Sequence, residues 1–99
     1  MDAAQLAKIS KALADPTRLQ IYQAIAAEPD MFCGEILQQY KLAPGTLSHH
    51  LKTLVEAKLI ECRREGQFIH SRVIPETMRE YTIALTRVSQ PGTRKAKRS

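Results

Sequence analysis

The spacing of apolar positions divides the chain into seven elements. Leu6, Ile9 and Leu13 recur at helical spacing across residues 3–14, where alanines add helix propensity. Asp15-Pro16 is a paired start signal, with Asp15 as N-cap and Pro16 at the first helical position. A second helix follows over 16–27, its apolar surface supplied by Leu19, Ile21, Tyr22 and Ile25, until Glu28-Pro29-Asp30 breaks it. A third helix covers 33–40 with Ile36, Leu37 and Tyr40 inward. Lys41-Leu42-Ala43 is a short turn, and a fourth helix runs from Pro44 to Ala57.

The fourth helix is two-faced. Leu47, Leu51, Leu54 and Val55 follow i, i+4, i+7, i+8 and predict a buried stripe. The opposite face carries Gly45, Thr46, Ser48, His49, Lys52 and Thr53, short or hydrogen-bonding side chains crowded toward the helix start. Such economy suits a helix entering the DNA major groove, about 12 Å wide, with donors and acceptors for base edges. A helix, a three-residue turn and a second helix of this kind make a helix-turn-helix.

Downstream the period changes from helical to alternating. Residues 59–64 read as one strand and 67–73 as a second, joined through Glu65-Gly66, where Gly66 tolerates the positive φ of a hairpin. Alternation puts Arg63 and Arg64 on opposite faces of this ribbon, so one of them meets phosphate whichever face is presented. Ile74, Met78, Tyr81, Leu85 and Val88 then form an uncharged stripe on a fifth helix. Little of the domain remains for that stripe to pack on, which points to a partner subunit. The predicted fold is mainly α with a β-hairpin wing: four helices, two strands, one helix.

Charge sharpens the picture. The 99 residues carry a net +5, but residues 1–40 sum to −2, residues 41–72 to +3, residues 73–90 to zero and residues 91–99 to +4. Positive charge is therefore sorted into the helix–hairpin segment, which also holds His49, His50 and His70, and into a tail with Arg94, Lys95, Lys97 and Arg98. That is the footprint of a surface for a phosphate backbone. One domain is expected over residues 1–90, with residues 91–99 a disordered basic tail that is either simply solvated or a further DNA contact. A small core of this size favours dimerisation. With no apolar run near membrane-spanning length and no signal-peptide core, the expectation is a cytoplasmic protein without a membrane partner.

Two cysteines, Cys33 and Cys62, do not make a secreted disulfide framework. They read either as a redox pair or thiol sensor, or as small hydrophobes. The expected position of Cys33 at a helix start would lower its thiol pKa. His49 and His50 lie about 100° apart on a helix and cannot chelate one metal together; His49 is expected to face DNA and His50 to make a structural hydrogen bond. No nucleophile–base set, phosphate loop, carboxylate pair or metal quartet occurs at a workable spacing, so neither an enzyme, a cofactor nor a metal is expected. The alternative class is a winged helix used for protein–protein contact, which the basic Arg63, Arg64 and Arg72 disfavour.

The residues KALADPTRLQIY (11–22), LSHHLKTLVEAKLIECRREGQFIHSRV (47–73) and the following Pro75-Glu76 resemble the ArsR/SmtB family of bacterial transcriptional repressors, over roughly residues 5–88. The resemblance implies a winged helix-turn-helix homodimer joined through its first and last helices, here Leu6, Ile9 and Leu13 with Met78, Tyr81, Leu85 and Val88. It implies binding to an imperfect inverted repeat of double-stranded DNA and release when an inducer binds. Contacts would come from Pro44, Gly45, Thr46, Ser48 and His49, with Lys52 on the same face, and from Arg63, Arg64, Gln67 and His70 in the wing. The position of His49 is often arginine in the family; histidine is shorter and offers one donor when neutral. The family's inducer sites do not map. The two cysteines of its arsenic, cadmium and lead sensors align with Phe32 and Gly34, leaving Cys33 between them. Residues 75–90 contain neither the His nor the Asp of its zinc and nickel sensors. The cysteines of its persulfide and oxidant sensors, after the RLxI motif and late in the last helix, are absent. The inducer is thus unidentified, with Cys33 and Cys62 as the thiol candidates.

Overall fold

The computed structural model describes residues 1–28 and 30–91. The basic tail expected over 91–99 lies, but for Pro91, outside the described residues. Helix α1, Ala3–Ala12, opens with the Asp2 carboxylate accepting from the Gln5 N–H at 2.8 Å. It stops two residues short of the expected end, because Ala14 turns the chain into the Asp15-Pro16 start signal. Helix α2, Pro16–Ala27, is capped as expected: Asp15 accepts from the Arg18 N–H at 2.8 Å. The backbone hydrogen bond from Arg18 holds the Asp15 carboxyl below its ordinary range.

The chain then makes a strand that the pattern does not announce. Strand β1, Met31–Phe32, pairs antiparallel with strand β3, Phe68–Val73, in the register Met31↔Ser71 and Phe32↔His70. Two residues cannot display an alternation. Helix α3, Cys33–Tyr40, follows directly, its first turn closed by Glu35 accepting from the Phe32 N–H at 3.3 Å. Helix α4 spans Pro44–Glu56 and strand β2 spans Ile60–Glu65. The hairpin turn proper is Gly66-Gln67, since Glu65 and Phe68 are paired across the ladder. Gly66 takes φ +63° at the first central position, which is the glycine site of a type II′ hairpin turn. Helix α5 is Pro75–Val88. The sheet order is β1-β3-β2, so the expected two-stranded wing is the outer part of a three-stranded sheet.

The core draws Ile9 from α1, Ile21 and Ile25 from α2, Ile36 from α3, Leu54 from α4, and Leu59 and Ile60 at the start of β2. Each fully buried aliphatic side chain contributes roughly 1.5–3 kcal/mol of transfer free energy. Three readings from periodicity are corrected. Val55 is 39% exposed, and His50 and Ala57 take its place beside Leu47, Leu51 and Leu54 on the buried face of α4. Leu19 is exposed rather than inward. Ile9, assigned to a dimer face, is 0% exposed within its own subunit, and Tyr81 is 8% exposed with its hydroxyl 2.8 Å from the Ser10 hydroxyl. Their surfaces are consumed in joining α1 to α5 and the core. Leu6, Leu13 and Met78 are half-buried, while Ile83, Leu85 and Val88 point outward.

Candidate DNA interface

Helix α4 is held from behind and bare in front. Leu47, Leu51 and Leu54 anchor its inner face. His50, also buried, is met by Arg18 of α2, whose guanidinium donates to His50 Nδ1 over 3.2 Å. Arginine has no acceptor, so Nδ1 must carry the lone pair and the imidazole is neutral. Burial pushes the His50 pKa below its usual 6.5, against the opposing pull of Asp15 and helped by Arg18 and His49. The same arginine donates through Nε to the Ala12 carbonyl at 2.6 Å and through its second amino group to the Lys11 carbonyl at 3.3 Å. One side chain thus ties the end of α1, the start of α2 and the back of α4 together. The structural hydrogen bond expected of His50 is present, but Arg18 was not singled out from sequence. Its position in ADPTRL was visible; its partner 32 residues away was not.

On the outer face, Pro44, Gly45, Thr46, Ser48, His49 and Lys52 are all exposed and lie together. No side chain caps the start of α4. A Cβ built on Gly45 would meet nothing within 4 Å, so the fold itself gives no reason for a glycine there. A small residue on an open helix start allows another molecule to approach the backbone closely.

The wing sorts its charges by face. Arg63, His70, Arg72, Glu61 and Glu65 share one face. There Arg63 forks onto Asp30 at 2.7 and 2.8 Å and reaches Glu65 at 3.4 Å. Asp30 stands at φ +60° to present its carboxylate, whose pKa the Arg63 guanidinium lowers. Arg72 pairs with Glu61 at 2.7 Å, and His70 lies 3.5 Å from Glu65 and 3.9 Å from Asp30. Three acids thus offset the cations of this face. Arg64 lies on the opposite face, across from Ile69, with no acidic partner among the described residues. Gln67 is at the tip. Of the four wing residues expected at DNA, the structure therefore separates an unpaired Arg64 from the engaged Arg63 and His70.

The Phe32 ring packs edge-on against Phe68 at 5.0 Å between centroids and lies 5.8 Å from His70. It also covers Gly34, where a Cβ would come within 2.6 Å of it. The two positions aligned with a metal-binding cysteine pair are thus filled by a ring lying on a glycine. Cys33 corrects another expectation. Although it begins α3, it is buried, and burial pushes its thiol pKa up, with a smaller opposing effect from the Ser71 hydroxyl.

Comparison with known proteins places this geometry. A family described as a helix-turn-helix domain matches residues 13–63. The transcriptional repressor SdpR of Bacillus subtilis is 37% identical over 62 residues, which is 63% of this chain and 68% of that protein. The arsenical resistance operon repressor of Staphylococcus xylosus is 35% identical over 66 residues, covering 67% of this chain and 62% of the relative. In three dimensions, the solution structure of a homodimeric winged helix-turn-helix DNA-binding domain from Mycobacterium bovis aligns with TM-score 0.70 at 27% identity, over 89% of this chain and 82% of the other. An ArsR-like transcriptional regulator from Rhodococcus aligns with TM-score 0.76 over 86% of this chain and 79% of the other, at 24% identity. With the bare face of α4 beside a charged hairpin, these likenesses establish that the chain belongs to the ArsR family of winged helix-turn-helix, DNA-binding transcriptional regulators.

Proposed function

We propose that the chain is a homodimeric, sequence-specific repressor that holds an imperfect inverted repeat and releases it when an inducer binds. The observation that carries this reading is the exposed N-terminal half of α4, immobilised from behind by Arg18–His50 and the leucine stripe. Thr46, Ser48 and His49 read base edges, while Gly45 lets the helix start approach the backbone. Arg64, free of acids, supplies the wing's phosphate contact. Repressor relatives and the homodimeric Mycobacterium domain support the same reading.

The test is an anisotropy titration on DNA from upstream of the protein's own gene, repeated across a salt series. Affinity should fall linearly with salt on logarithmic axes, since bound cations displace phosphate counterions. Arg64→Ala should weaken binding on every sequence alike and lower the salt slope by about 0.9. His49→Ala should instead change base preference, by about 1–3 kcal/mol at one position of each half-site. A footprint without dyad symmetry, or an Arg64→Ala effect confined to particular bases, would overturn the reading.

A further inference from the structure

The two cysteines, 29 positions apart in sequence, meet at one buried hydroxyl. Ser71 in the central strand is 0% exposed, and its Oγ lies 3.1 Å from Cys62 Sγ and 3.7 Å from Cys33 Sγ. Cys62 sits directly opposite Ser71 on β2, and Cys33 is the first residue of α3, both on the core side of the sheet. The sulfurs can be no farther apart than these two contacts laid end to end. Both are free thiols, one exposed and one buried.

We infer that Cys33 and Cys62 form a reversible intramolecular disulfide when the protein meets a hydroperoxide. Exposed Cys62 is the sulfur the oxidant reaches. Its thiolate attacks the O–O bond, becomes the sulfenic acid, and the displaced alkoxide leaves as an alcohol (water, for hydrogen peroxide) on taking up the thiol proton. The Cys33 sulfur then attacks the Cys62 sulfur; the S–S bond forms, the S–O bond breaks, and hydroxide leaves as water with the Cys33 proton. Two thiols and one hydroperoxide become one disulfide, one alcohol and one water. The raised pKa of Cys33 suits the resolving rather than the attacking role.

The bond has a mechanical consequence. A disulfide holds its sulfurs about 2.05 Å apart, so closing it draws β2 past the Ser71 hydroxyl toward the start of α3. Arg64 is two residues beyond Cys62 on the same face of β2 and moves with it. The wing is thereby displaced relative to α4, and DNA affinity falls by about five- to a hundredfold. This second consequence rests on the DNA-binding role proposed above for Arg64.

The experiment treats the full chain with one equivalent of hydrogen peroxide and maps its peptides without reduction. The inference expects a peptide linking Cys33 to Cys62, lighter by two hydrogen atoms and restored by dithiothreitol, from a protein that has not become covalently dimeric. Dimedone, which traps sulfenic acids, should label Cys62 in Cys33→Ser and leave Cys33 unlabelled in Cys62→Ser. An absent or solely intermolecular link, or dimedone on Cys33 in Cys62→Ser, overturns the pair. These readouts need no DNA, so they stand or fall apart from the operator reading. A linked protein whose operator affinity equals that of the reduced form overturns the coupling to the wing.

Discussion

A neutral imidazole accepting from a guanidinium cannot be protonated without losing that hydrogen bond and facing a second cation, and this is the situation of His50. Because its folded pKa lies below 6.5, the unfolded chain takes up the proton first as pH falls. Stability is complete above the ordinary histidine value, declines through it, and levels off below the lower folded value. Asp15, the nearest acid, has its carboxyl pKa held below 3.8 and stays ionised through this window. Thermal melts at pH 7.5 and pH 5.5 (roughly one unit either side of the ordinary pKa) should show wild type losing more on acidification than His50→Asn. The variant should be the less stable of the two at the higher pH. Equal losses in both would assign the acid sensitivity to other groups.

Among the elements, α4 shows where local chemistry is least satisfied. Its end is a Schellman-type stop, with the Leu59 N–H on the Leu54 carbonyl at 3.0 Å and the Lys58 N–H on the Val55 carbonyl at 2.9 Å. That geometry places Lys58 at φ +62°, where a Cβ is unfavourable. Lys58→Gly should therefore stabilise the protein by about 0.5–1 kcal/mol after the added unfolded-state freedom is subtracted. Chemical denaturation can measure this against Lys58→Ala, which keeps the strained Cβ and should gain nothing. The helices were legible because each carries its own signals: Asp15-Pro16, Pro44 and the Leu47-Leu51-Leu54 spacing. Val55 and His50 were misplaced because one apolar position more or less at the edge of a stripe is decided by what lies across from it. Strand β1 was not legible because it exists only through β3, and Arg63 read as a DNA contact because Asp30, 33 residues away, was not visibly its partner.

At the scale of the molecule, an apolar groove runs between α1 and α5, lined by Leu6, Ile83, Ala84 and Val88. Ile83 and Val88 are 51% and 67% exposed. Periodicity indicated that α5 had an unpartnered face but assigned Ile9 and Tyr81 to it, which the subunit itself uses, and omitted Ile83, which lies off the stripe. If this groove joins two copies, Ile83→Glu with Val88→Glu should yield a monomer by sedimentation and lose most operator affinity while the fold is retained. A dimer that survives both charges would place the interface elsewhere.

The sheet order leaves β2 with its outer edge unpaired, and four of its six residues, Glu61, Arg63, Arg64 and Glu65, are charged. An open edge of this length is a template for a strand from another chain, and charged side chains along it discourage that pairing. The wing's charges thus guard against aggregation as well as meeting DNA. Neutralising them to probe operator contacts would also uncover a strand able to recruit its own kind, so Arg64 is best replaced alone, with its charged neighbours kept.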